Sequence, residues 1–80
     1  GAAMRVRLFA RARYGIGADA IDVDRVETVG ALRQLLMNRF PALAGLIEKS
    51  AFAINDEFAD DRAVIPEQAE VALLPPVSGG

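Results

Sequence analysis

One stretch of this chain, Val29 to Phe40, spaces its apolar residues as a helix does, and most of the rest alternates as strands do. Val29, Leu32, Leu35, Leu36 and Phe40 recur at three- and four-residue intervals, which makes one apolar stripe. Thr28 is a good N-cap, and Glu27 beside it suits the positive end of a helix. Pro41 disfavours helical geometry in the residue before it, so the helix is expected to end near Phe40. Residues 42–49 predict a short further helical turn, packed by Leu43, Leu46 and Ile47. A single long helix has to bury its stripe against something else, and the flanking segments supply a sheet.

Ahead of the helix, Arg5-Val6-Arg7-Leu8-Phe9-Ala10-Arg11 alternates with the period of a half-buried strand. Val6, Leu8 and Ala10 fall on one face, and Arg5, Arg7, Phe9 and Arg11 on the other. Residues 14–19 carry Gly15 and Gly17 and read as a turn. Residues 20–24 alternate again, with Ile21 and Val23 inward, so the region up to Asp24 predicts a β-hairpin. After the helix, residues 51–55 read as a third strand, Asn55-Asp56-Glu57 as a turn, and Phe58 to Arg62 as a weak fourth strand. Pro66 to Glu70 is a turn and Val71 to Leu74 a last strand, stopped by Pro75 and Pro76, which lack backbone donors. The order is strand, strand, helix, strand, strand, strand. This predicts an α+β fold of the ubiquitin-like β-grasp type: a mixed sheet of about five strands, one main helix on one face, and an extended tail. The expected body is residues 4–74 and the tail residues 75–80. Gly1-Ala2-Ala3 reads as a cloning remnant before a natural start at Met4.

Composition narrows the chemistry. Hydrophobic residues make up 52% of the 80, which argues for a folded chain. There is no Cys and no His. That removes disulfides, the usual zinc sites, any Cys/His nucleophile pair and the commonest acid-base residue near neutral pH. A net charge of -2, with no basic run interleaved with aromatics, argues against nucleic acid as a partner. No apolar run approaches the ~18 residues that span a bilayer, and no signal peptide opens the chain, so a cytoplasmic location is expected. Asp56, Glu57, Asp60 and Asp61 lack the spacing of a calcium loop and read as a solvated loop.

The close, Leu73-Leu74-Pro75-Pro76-Val77-Ser78-Gly79-Gly80, and the opening, Leu8-Phe9-Ala10-Arg11-Ala12-Arg13, resemble those of the MoaD/ThiS family of ubiquitin-like sulfur carriers. Within it the likeness is strongest to the branch that forms the small subunit of molybdopterin synthase. The family often carries an Asp-Gly-Asp turn before its last strand, where this chain has Pro66-Glu67-Gln68-Ala69-Glu70. The resemblance implies that the working group is the carboxylate of Gly80, with Gly79 behind it. An E1-like (MoeB-like) partner would adenylate it with ATP, and sulfur would then make it a thiocarboxylate. The sulfur would pass to a pterin precursor in a MoaE-like large subunit, the two subunits forming a heterotetramer. The chain would bind no cofactor of its own and would not be an enzyme alone.

The tail's composition suits that task. Gly79 and Gly80 have no Cβ, so their backbone can thread a narrow channel, and Pro75 and Pro76 lower the entropy lost on insertion. Phe9, Arg11, Arg13, Leu74, Pro75, Pro76, Val77 and Ser78 are the residues expected to meet the partner. Should the first and last strands be neighbours, Phe9 and Leu74 form one patch at the root of the tail. Arg5, Arg7, Arg11 and Arg13 form a basic stripe, either a solvated face or a means of steering toward acidic partners, with Arg13 the best candidate. Three other functions stay open: a carrier serving thiazole, cysteine or tRNA thiolation, a modifier that forms isopeptide bonds, and a passive interaction domain. Whether sulfide or an amine captures the activated tail separates carrier from modifier.

Overall fold

The computed structural model describes residues 3–77; Gly1, Ala2, Ser78, Gly79 and Gly80 lie outside them. The body begins with β1 (Ala3–Leu8), in which Met4, Val6 and Leu8 are buried and the residues between them exposed. The alternation foreseen from the sequence therefore holds, but only as far as Leu8. The chain then turns through Ala10, at φ 50°, into a seven-residue helix, α1 (Ala10–Ile16). This corrects the expected hairpin turn and moves Ala10 and Arg11 off the strand. Ala and Arg are strong helix formers, Ala12 is the buried anchor, and Gly17 ends the helix at φ 84°, its N–H donating to the Arg13 carbonyl. That left-handed cap is a position glycine fills without strain. A helix of two turns with one small buried residue leaves no readable repeat, so the period-two pattern ran on across it.

Strand β2 (Ala20–Asp24) returns antiparallel to β1, with Val6 opposite Ile21 and Arg5 opposite Asp22. Helix α2 (Val29–Arg39) buries Val29, Leu32 and Leu36, and Thr28 caps it by accepting from the Ala31 N–H at 3.1 Å. A 3-10 turn (Pro41–Leu43) and α3 (Ala44–Lys49) follow, with Ile47 buried, as the apolar spacing after Pro41 suggested. Strands β3 (Ala51–Ile54) and β4 (Glu57–Ala59) form a hairpin. Its two turn residues, Asn55 and Asp56, have φ of 50° and 68°, the type I′ geometry that suits the twist of a hairpin. Residues 60–62 leave the sheet, so the fourth strand is shorter than the sequence suggested.

The last strand, β5 (Val71–Leu74), lies between β1 and β3. It runs parallel to β1 (Leu8 opposite Leu73) and antiparallel to β3 (Ala51 opposite Leu74). The sheet order is β2-β1-β5-β3-β4. One face of the sheet, through Val6, Leu8, Phe52, Val71 and Leu73, packs on the apolar stripe of α2 and on Ile47. This is the expected mixed five-stranded sheet with its helices on one side.

The loop from β4 to β5 is stitched to the start of α2. Val29 N–H donates to the Ala63 carbonyl, Gly30 N–H to that of Asp61, and Ile65 N–H to that of Glu27. A Cβ on Gly30 would lie 3.1 Å from the Asp61 carbonyl oxygen, so this close approach favours glycine. Ile65, 1% exposed, plugs the core from this loop.

The turn into β5 holds Gln68 at φ 63°, a conformation costly for a side chain with Cβ. Gln68 is exposed. Gln68→Gly is expected to stabilise the fold by up to ~1 kcal/mol, glycine's greater freedom in the unfolded chain taking back part of the relief. Urea unfolding measures it; a lower midpoint would mean that the Gln68 side chain contributes more than its backbone strain costs.

Candidate functional site

The tail leaves the sheet from its centre, not from an edge. β5 has a neighbour on both sides: its ladder to β1 runs as far as Leu73, and its ladder to β3 holds Leu74 itself, opposite Ala51. Leu74 and Pro75 are half-buried, Pro76 is exposed, and Val77 is 90% exposed. The chain thus passes within three residues from the middle of a rigid sheet to open solvent. Ser78, Gly79 and Gly80 lie outside the described residues.

Phe9 follows β1 as Leu74 ends β5. Leu8 and Leu73 are register partners and both point into the core. The next residue on each strand faces the other way, and Phe9 keeps extended geometry (φ -131°, ψ 157°). The first and last strands are thus neighbours, the condition set for a patch of Phe9 and Leu74 at the tail's root, although Phe9 is the N-cap of α1 and not a strand residue. Phe9 is 37% exposed, and the Arg7 guanidinium lies 5.3 Å from its ring centre.

Register also places Arg7, Ala72, Ala53 and Phe58 in one row across the outer face of the sheet. The two alanines make a shallow floor between Arg7 on one side and Phe58, 79% exposed, on the other. Phe58 was not singled out from the sequence. The type I′ turn at Asn55-Asp56, once recognised, fixes Phe58 opposite Ala53 and so on this face.

The basic stripe does not survive as one feature. Arg5 and Arg7 lie on β1, Arg11 and Arg13 on α1. Arg5 pairs with Asp22 at 3.2 Å, Arg7 with Glu70 at 3.9 Å and Arg13 with Asp19 at 2.6 Å, all well exposed. Exposed pairs of this kind contribute ~0–1 kcal/mol each to stability; their larger effect is to cancel charge. Among the described residues Arg11 forms no ion pair, which makes it the stronger candidate for steering. The acidic loop is also less uniform than expected. Asp61 pairs with Arg33 at 2.8 Å, and an Asp60 carboxylate oxygen accepts from the Arg62 N–H, while Asp56 and Glu57 stay exposed. No described helix is long and apolar enough to cross a membrane.

The sequence profile of the ThiS family matches residues 6–80. The chain is 32% identical over 79 residues to the molybdopterin synthase sulfur carrier subunit of Arabidopsis thaliana, covering 96% of this chain and 82% of that one. It is 33% identical to the protein of the same name from Dictyostelium discoideum, covering 95% and 94%. Among solved structures, small archaeal modifier protein 1 of Haloferax volcanii superposes with a TM-score of 0.80 at 29% identity, covering 99% of this chain and all of that one. The complex of subunits 1 and 2 of molybdopterin-converting factor from Helicobacter pylori contains a chain of the same fold. That chain has a TM-score of 0.68 at 22% identity, covering 99% and 100%. Matched from the middle of β1 to Gly80, and built on the same sheet as these relatives, the chain belongs to the ThiS family.

Proposed function

We propose that this protein is the sulfur carrier subunit of a molybdopterin synthase, with the carboxylate of Gly80 as its working group. The observation that carries the reading is the tail: a Gly-Gly end launched from the central strand of a β-grasp sheet, beside a half-exposed aromatic. The chain's own chemistry is then positional. Its folded body is a handle that a partner grips, and residues 75–80 deliver one carbonyl carbon to a site the partner provides.

A carboxylate is a poor electrophile, so it must first be activated. An E1-like partner joins Gly80 to AMP, with pyrophosphate leaving from ATP. Sulfur then displaces AMP, and the product is a thiocarboxylate whose anionic sulfur needs no cysteine. In the large subunit that sulfur moves to the pterin precursor, two such transfers completing a dithiolene, and the chain returns as a carboxylate. A heterotetramer of two small and two large subunits places one tail in each active site.

The reading is tested by incubating the chain with an E1-like enzyme, ATP and a sulfide source, then measuring intact mass. The expected result is exchange of one oxygen for one sulfur. An unchanged mass with every such enzyme tried would turn the reading toward a passive interaction domain.

Phe9 gives a second test. As an aromatic anchor at the tail's root, Phe9→Ala is expected to weaken binding to the large subunit by about 1–3 kcal/mol. It should leave the melting temperature nearly unchanged, because Phe9 lies outside the buried core. An unaltered dissociation constant would remove Phe9 from the interface.

A further inference from the structure

The chain has one lysine, Lys49, against eight arginines. Lys49 ends α3 and is exposed, and among the described residues it forms no ion pair. Two residues later, Ala51 opens β3 opposite Leu74, the residue from which the tail departs. Two residues of chain span at most about 7 Å, and neighbouring strands lie about 5 Å apart. Lys49 therefore stands at the root of the tail. The six residues after Leu74 can reach about 20 Å when extended, more than enough to bring the Gly80 carbonyl to the lysine amine. The start of β1, by contrast, lies at the opposite end of the sheet from Leu74, because β1 and β5 run parallel.

An activated carboxyl is attacked by amines as well as by sulfur. Guanidinium groups stay protonated in proteins and are not nucleophiles. Lys49 is thus the one side-chain amine that an activated Gly80 can acylate on its own chain. An acceptor tethered to the same chain is present at an effective concentration on the order of mM, above the concentration of a second copy in dilute solution.

We propose that Lys49 is a self-acylation site: when Gly80 is adenylated and sulfur is scarce, Nζ of Lys49 captures the terminus in cis. This rests on the carrier reading above. The free amine attacks the Gly80 carbonyl carbon and the C–N bond forms. The bond from that carbon to the AMP oxygen breaks, AMP leaves with the electron pair, and the surplus proton on nitrogen goes to buffer. Relative to the starting chain, one water is lost. The ring that results has no carboxylate left to load, so capture withdraws the carrier when its cargo is lacking.

The test uses the full chain with an activating enzyme and ATP already shown to load it with sulfur. With sulfide omitted, a monomer lighter by one water is expected, and its digest should contain a peptide joining Lys49 to Gly80. Lys49→Arg should abolish that species yet still acquire sulfur when sulfide is supplied, which separates this proposal from the carrier reading. A wild-type chain that loads sulfur but never loses water would overturn the proposal. So would a link through the α-amino group, or a linked dimer in place of the monomer. If no activating enzyme loads the chain with sulfur, the carrier reading falls and this proposal falls with it.

Discussion

Removal of Gly79 and Gly80 is expected to leave a protein that melts with its parent and accepts no sulfur. The first half follows from where stability resides. Among the described residues every buried apolar one lies between Met4 and Leu73, no β5 ladder passes Leu74, and Val77 is already 90% exposed. The second half follows from reach. Two residues of extended chain are about 7 Å, whereas a misplacement of ~1 Å in a reacting group can cost about a hundredfold in rate. The new terminus would also be Ser78, whose Cβ narrows the backbone conformations that glycine allows. Gly80→Ala should fall between: the carbonyl keeps its place, but a methyl group enters the channel. Intact mass after incubation with the activating partner, ATP and sulfide measures loading, and thermal unfolding measures the fold. Sulfur on the truncated chain at the parental rate would end the carrier reading. A lowered melting temperature would mean that the tail folds back onto the body.

The parts of this site legible in the sequence were those encoded by strong local rules. The helix from Val29 could be read because its stripe, its Thr28 cap and Pro41 all agree, and agreement across levels is what specifies an element. β5 and the place where the tail begins could be read because two prolines end a run of apolar residues. The nearness of Phe9 to Leu74 needed only the strand order. What could not be read depended on contacts distant in sequence or on weak local signals. α1 is two turns long, and one small buried residue at Ala12 is too little to break an alternation that Arg11 and Arg13 continue along the sequence. Ion pairing of Arg5, Arg7 and Arg13 with Asp22, Glu70 and Asp19 depends on register and on the path of α1. A charge stripe written along the chain was therefore largely neutralised in space. Lys49 carried no signal on its own, and its place beside the tail emerges only when Ala51 is seen opposite Leu74.

A large effect on stability is also expected at a residue that sequence patterning passes over, Arg33. Its place on α2, between Leu32 and Gln34, suggests a surface cation, but its side chain is only 14% exposed. One terminal nitrogen, Nη1, donates to the carbonyls of Ile47 at 2.8 Å, Glu48 at 3.1 Å and Ser50 at 2.7 Å. Those groups are at or just past the end of α3, a six-residue helix whose last carbonyls have no partners within the helix. A cation there also meets the negative end of the helix. Nε and Nη2 hold an Asp61 carboxylate oxygen at 3.2 and 2.8 Å, and the guanidinium lies 5.0 Å from the centre of the buried Phe52 ring. One planar fork thus ties α2, the end of α3, the β4–β5 loop and the sheet together. Arg33→Met keeps much of the apolar stem and removes the donors. It is expected to cost about 2–4 kcal/mol, because partly buried carbonyls lose a charged partner. Against a total of ~5–15 kcal/mol for a domain, that is a large fraction. Arg33→Lys supplies one compact charge without the fork and should fall between the two. Asp61→Asn should cost only ~0.5–1 kcal/mol, since that carboxylate is more than half exposed. Urea unfolding of the three variants decides which contact dominates. If Asp61→Asn costs as much as Arg33→Met, the ion pair carries the effect and the carbonyl cap does not. If Arg33→Met is neutral, the fork contributes nothing net. The consequence for function lies one residue beyond the cap. Ser50 leads directly into Ala51, which pairs with Leu74, so loosening Arg33 should speed amide hydrogen exchange at the start of β3, where the tail is anchored.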